Sequence, residues 1–103
     1  MMAVPMLIDS HCHLDRLDLT AYDGCLDSAL QAARERGVVH FLCIGISVDN
    51  APVMRELAGR YADVDCSVGV HPLDLSRGSE PTMRWLLDEL DHPGVVAVGE
   101  TGL

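Results

Sequence analysis

The sequence predicts an α/β fold of parallel βαβ units, and three observations carry that prediction. Four short apolar and β-branched runs alternate with three segments whose apolar residues recur at i, i+3, i+4 and i+7. The runs begin roughly every 30 residues, the length of a βαβ unit. Of the 103 residues, 49% are apolar and only 4% aromatic, so a core must be assembled from Val, Leu, Ile, Ala and Met between layers. The length corresponds to one small domain.

The first strand is read from the apolar segment 4–8, Val-Pro-Met-Leu-Ile. Residues 20–36 follow as a helix with Leu26, Ala29, Leu30 and Ala33 on one face, and Gly37 is placed to end it. Residues 38–46 are a β-branched and apolar run of strand length. Asp49 or Asn50 can cap a second helix whose inner face is Met54, Leu57, Ala58 and Tyr61. Residues 65–70 form the third strand and run into Gly69-Val70-His71-Pro72. Ser79 and Pro81 open a third helix with the stripe Met83, Leu86, Leu87 and Leu90, which His92-Pro93-Gly94 stops. Residues 95–98 are the fourth strand. No linker or low-complexity segment interrupts the series, so 1–103 reads as a single unit.

The polar residues cluster on one edge of this plan. His11 and His13 follow the first strand, His71 the third and Glu100 the fourth, and carboxyl ends of parallel strands are where ligands bind. In Asp9-Ser10-His11-Cys12-His13-Leu14-Asp15, strand alternation turns both imidazoles to one side and Cys12 to the other. Two neutral imidazoles converging on a point make a pair of metal ligands. Asp9 and Asp15 share their parity and are placed to ligate or to orient a ring N–H. Glu100 lies between Gly99 and Gly102, where a backbone without side chains permits close approach to a cation. His71 has two readings, substrate contact or a loop cap. The second strand ends in Gly45-Ile46-Ser47 with no ligand-type side chain, and Gly45 leaves room. Arg16 can help hold a phosphate or lie solvated. His40 falls on the opposite edge and is expected to be structural, and His92 to meet the exposed carbonyls of a helix end. Asp74 and the run Asp88, Glu89 and Asp91 read as solvated faces.

The formal charge is −9, and all seven basic residues are Arg. Such a field repels polyphosphate, so a nucleic-acid substrate needs bound cations or an arginine cluster. Cys12, Cys25, Cys43 and Cys66 contain no C-x-x-C pair and fit neither a structural zinc motif nor a disulfide scaffold; Cys12, Cys43 and Cys66 are expected to pack as small hydrophobes. There is no Gly-rich phosphate loop and no Ser or Cys nucleophile pattern. No apolar run reaches eighteen residues and no leader is evident, so a cytoplasmic protein is expected.

With Asp9-Ser10-His11-Cys12-His13-Leu14-Asp15, Gly69-Val70-His71-Pro72 and Val98-Gly99-Glu100-Thr101-Gly102-Leu103 in this order, the chain resembles the TatD family of metal-dependent hydrolases. The resemblance implies the N-terminal part, about four βα units, of a TIM-like (β/α)8 barrel, whose full length is about 250 residues. It implies that His11 and His13 hold one divalent metal, that Glu100 is a catalytic ligand bridging to a second, and that His71 lies beside them toward the substrate. The metals implied are Mg, Mn or Zn, and the reaction is hydrolysis of phosphodiester bonds in DNA by a metal-activated water. Two further histidines and a late aspartate base are implied from later strands, outside these residues, so the chain alone is expected to be inactive. An alternative from another class is a non-catalytic half-barrel that binds metal weakly or self-associates through its exposed sheet edges. A related amidohydrolase cleaving C–N bonds shares the His-x-His, but the Gly-Glu-Thr-Gly segment suits it less well.

Overall fold

The computed structural model describes residues 5–74 and 81–101. Strands β1 (Leu7–Cys12), β2 (Val38–Cys43), β3 (Val64–Val68) and β4 (Val95–Val98) alternate with helices α1 (Leu26–Glu35), α2 (Ala51–Arg60) and α3 (Met83–Leu90). All neighbouring strands are parallel and the sheet order is β1-β2-β3-β4. A doubly wound sheet would reverse its order partway. This one never does, so right-handed crossovers put every helix on the same face, as in the wall of a barrel.

The core lies between that face and the helices. Leu30 of α1 and Met54 and Leu57 of α2 meet Phe41, Cys43, Val64, Cys66, Val68 and Val95 of the strands, all buried. Cys43 and Cys66 are fully covered, which fits thiols acting as small hydrophobes, and burial pushes the Cys66 thiol up to about 11. Alternation sends His40, Asp65, Ser67, Val96 and Val98 to the opposite face. Among the described residues nothing covers the two valines there, which are 56% and 53% exposed.

Several elements differ from the sequence expectation for local reasons. The first helix begins at Leu26, because Asp23 (φ 54°) and Gly24 (φ 75°) are left-handed and confine residues 20–22 to a separate 3-10 turn. β1 runs on through His11 to Cys12, and Val4 lies outside the described residues. β2 stops at Cys43, since the N–H groups of Ile46 and Ser47 turn to the Asn50 side-chain oxygen, both at 3.2 Å. β3 starts at Val64 and stops at Val68, beyond which the His71 N–H reaches across to the Ile46 carbonyl at 2.7 Å. Ser79 lies outside the described residues; Thr82 caps α3, its hydroxyl accepting from the Trp85 N–H at 3.0 Å.

α3 is also rotated from its expected face. Trp85, Leu86 and Leu90 pack on the core, whereas Met83 and Leu87 are exposed. The rotation accompanies burial of Glu89, which the sequence placed in solvent; its carboxylate meets the Arg55 guanidinium at 2.9 Å. Asp88 and Asp91 are solvated as expected. The His92 ring faces Arg55 at 3.4 Å instead of helix carbonyls, and only its backbone N–H meets one, that of Glu89. His40 pairs with Asp65 at 2.8 Å, a structural contact.

A bidentate pair clamps the end of α1 to the turn before β3. Arg34 donates from Nε and Nη2 to the two Asp63 oxygens at 2.7 and 2.9 Å, which holds that carboxyl below its usual 3.8. A depressed folded-state value contributes stability above the unfolded value and loses it as pH falls through the folded one. Asp63→Asn is therefore expected to cost about 1 kcal/mol at neutral pH and to equal the parent at a pH well below that of Asp63 titration. Urea unfolding at the two pH values checks this; a gap that persists in acid would contradict it.

Candidate metal centre

The carboxyl edge is built from four strand ends and the backbone bonds that lash them together. Cys12 and buried Leu14 anchor the segment from the helix side, the Cys12 thiol donating to the Leu42 carbonyl at 3.4 Å. Cys12 thus packs away from its neighbours, as alternation requires, and the His11 and His13 rings meet edge to face with centroids 5.3 Å apart. Asp9 and Asp15 contact neither ring. Asp9 accepts the His11 backbone N–H at 3.2 Å, and Asp15 accepts from the Asn50 amide at 3.3 Å, its other oxygen buried without a hydrogen bond.

Glu100 is placed by glycines. Its N–H donates to the Gly45 carbonyl and the Gly99 N–H to the Val68 carbonyl, both at 2.8 Å. The Gly99–Glu100 peptide is cis. Gly45 leaves room in a literal sense, because a Cβ there would lie 2.6 Å from the Ser67 carbonyl oxygen. Beneath them, Ser67 Oγ donates to the Gly99 carbonyl at 2.7 Å and accepts from the Gly45 N–H at 3.1 Å. Ser67 escaped the sequence reading; the signal was a small polar residue two positions after Asp65, on the strand face turned away from the helices.

The resulting geometry brings one ligand atom each from His11, His13 and Glu100 within 4.8 Å of one another. The Glu100 carboxylate divides its oxygens, Oε2 lying 3.6 Å from His11 Nε2 and Oε1 3.8 Å from His71 Nε2. His71 Nδ1 accepts the Leu73 N–H at 3.0 Å, so a neutral ring carries its proton on Nε2, toward Glu100. These groups line a cavity of about 340 Å³ together with Arg16 and Asp74. Asp74, expected on a solvated face, is brought in by the short turn Pro72–Asp74, in which its N–H donates to the His71 carbonyl at 2.8 Å.

Two imidazole nitrogens and a carboxylate form a mixed N/O donor set suited to a divalent ion, and three protein ligands leave positions open for water or substrate. Among the described residues this is the one such cluster. No helix among them is long and apolar enough to cross a membrane.

Residues 8–103 match the family model described as TatD related DNase. The chain is 39% identical over 99 residues to the uncharacterized metal-dependent hydrolase YcfH of Escherichia coli, a match covering 94% of this chain and 36% of that protein. It is 34% identical over 82 residues to the 3'-5' ssDNA/RNA exonuclease TatD of Cronobacter turicensis, covering 80% of this chain and 31% of that one. The crystal structure of YjjV, a TatD homolog from Escherichia coli, matches with a TM-score of 0.73 at 29% identity over 93% of this chain and 37% of that chain. The βα units correspond to the N-terminal part of a TIM-like barrel. The chain spans about a third of the length of these relatives.

Proposed function

The chain belongs to the TatD-related DNase family, and we propose that it forms the first, metal-holding part of a barrel hydrolase that cleaves phosphodiester bonds in DNA. The observation that carries this reading is the convergence of His11, His13 and Glu100 within 4.8 Å at the carboxyl edge of a parallel sheet. A divalent cation held there supplies Lewis acidity, making a water nucleophilic near neutral pH and neutralising charge on phosphoryl oxygens. His11 and His13 hold it through neutral ring nitrogens. Glu100 would join them as the carboxylate ligand, its Oε2 lying on the His11 side and its Oε1 on the His71 side. His71, with its Nε2 proton directed into the cavity, donates to a substrate oxygen. Mg, Mn and Zn all accept this donor set.

The test is labelled single-stranded DNA incubated with the purified protein in Mn²⁺, Mg²⁺ or Zn²⁺, beside an amide panel. Metal-dependent DNA binding abolished by EDTA is expected, without the turnover of a full-length relative. Amide cleavage without phosphodiester cleavage would contradict it.

A second reading, a non-catalytic half-barrel that self-associates, is favoured by the apolar edge of β1, where Leu7 and Ile8 are 49% and 66% exposed. Concentration-dependent sedimentation supports it, and a monodisperse, cooperatively unfolding monomer counts against it.

A further inference from the structure

Arg16 lines the cavity at the carboxyl edge, and metal binding leaves it unused. Arg16 ends the short turn Leu14–Arg16, and its backbone N–H donates to the His13 carbonyl at 3.0 Å. That bond fixes where the Arg16 side chain begins relative to the imidazole pair. The side chain lines the same cavity as His11, His13, His71 and Glu100. It is 60% exposed, and its ion pair with Asp15 is long, 3.9 Å. Arg34 and Arg55, by contrast, are held against carboxylates at 2.7 and 2.9 Å.

We propose that Arg16 anchors a second phosphate of the substrate, the one flanking the phosphate held at the metal cluster. The proposal rests on the phosphodiester reading of that cluster and adds a residue that holds the strand beside the phosphate to be cleaved. Charge balance demands such a group. The protein carries −9 overall, and a cation at His11, His13 and Glu100 offsets only the phosphate it touches. The neighbouring phosphate enters a cavity that acidic Asp74 also lines. A guanidinium meets a phosphate through two parallel N–H bonds, and Arg16 has those donors free of any short carboxylate contact. Its exposure means that truncating it removes a charge without opening the core.

The test is fluorescence anisotropy with a short labelled oligothymidylate in Mn²⁺, followed across salt for the parent, Arg16→Ala and Arg16→Lys. Mn²⁺ affinity and the affinity for bis(p-nitrophenyl) phosphate, which has a single phosphate, are measured on the same proteins. Arg16→Ala is expected to weaken oligonucleotide binding about tenfold and to reduce the slope of log K against log salt by about 0.7, one single-strand phosphate contact. Mn²⁺ and the single-phosphate probe bind as before. Arg16→Lys recovers the slope but only part of the affinity, since a point charge replaces a fork. An oligonucleotide affinity and slope unchanged in Arg16→Ala would overturn the proposal while leaving the phosphodiester reading intact. Equal loss of both phosphate probes would overturn it too, placing Arg16 at the metal-held phosphate. If the parent binds no oligonucleotide in Mn²⁺, the phosphodiester reading fails and the Arg16 proposal with it.

Discussion

His13→Ala is expected to weaken Mn²⁺ binding by more than about 100-fold while leaving the fold in place. Losing even an indirect partner of a ligand costs 10- to 100-fold in affinity, so losing one of three direct donors costs more. The remaining His11 and Glu100 then offer two donors, too few to outcompete water around a hydrated ion. The fold should tolerate the change because the His13 side chain makes no capping hydrogen bond to the turn it precedes, and buried Leu14 still anchors the segment. His40→Ala is the matched control. It removes an imidazole paired with Asp65 and outside the site cavity, so it should leave Mn²⁺ affinity unchanged. Calorimetric titration of both variants decides the matter, and equal binding by His13→Ala and the parent would exclude the cluster as the metal site.

Gly69→Ala is expected to damage the centre without touching a ligand. A Cβ at Gly69 would lie 2.7 Å from the Gly99 carbonyl carbon, 2.9 Å from its oxygen and 3.0 Å from the Glu100 nitrogen. All three are backbone atoms and cannot swing aside. The Gly99-to-Val68 and Glu100-to-Gly45 bonds, both 2.8 Å, must lengthen, and the Glu100 carboxylate moves with them. Overpacking of this kind costs about 1–3 kcal/mol, and here metal affinity should fall with stability. Gly59→Ala provides the contrast, because nothing lies within 4 Å of a Cβ there and the position is helical. It is expected to be neutral or to stabilise by up to about 1 kcal/mol. Thermal melts with Mn²⁺ titration test both; a Gly69→Ala protein with parental values would contradict the close approach.

Much of this architecture was legible in the sequence because the strand runs and helix stripes obey different periods. Leu30, Met54 and Leu57 are buried where the 3.6-residue pattern puts them, and alternation correctly turned Cys12 from its histidine neighbours. The chemistry of the edge was legible because parallel topology sends every strand's carboxyl end the same way, so motifs 58 residues and more from His13, at His71 and Glu100, meet it in one cavity. What escaped depends on partners distant in sequence. Glu89 looks solvated until Arg55 from α2 reaches it, on the helix face opposite exposed Met83 and Leu87. Asp74 enters the cavity only because a short turn follows His71, and Ser67 matters only because Gly45 and Gly99 flank it in space. Asp9 and Asp15 show the reverse error. Parity allowed them near the rings, but one Asp9 oxygen turns to the His11 backbone N–H and one Asp15 oxygen to the Asn50 amide.

The most direct measurement is paramagnetic broadening of histidine ring signals as Mn²⁺ is added to the ¹⁵N-labelled protein. The chain has five histidines, two of them outside the cavity, so each serves as a position marker. Selective loss of the His11, His13 and His71 ring signals, with His40 and His92 retained and Glu100→Gln requiring far more Mn²⁺, is the expected result. Uniform broadening of all five rings, or none at millimolar Mn²⁺, would contradict a metal centre at the carboxyl edge.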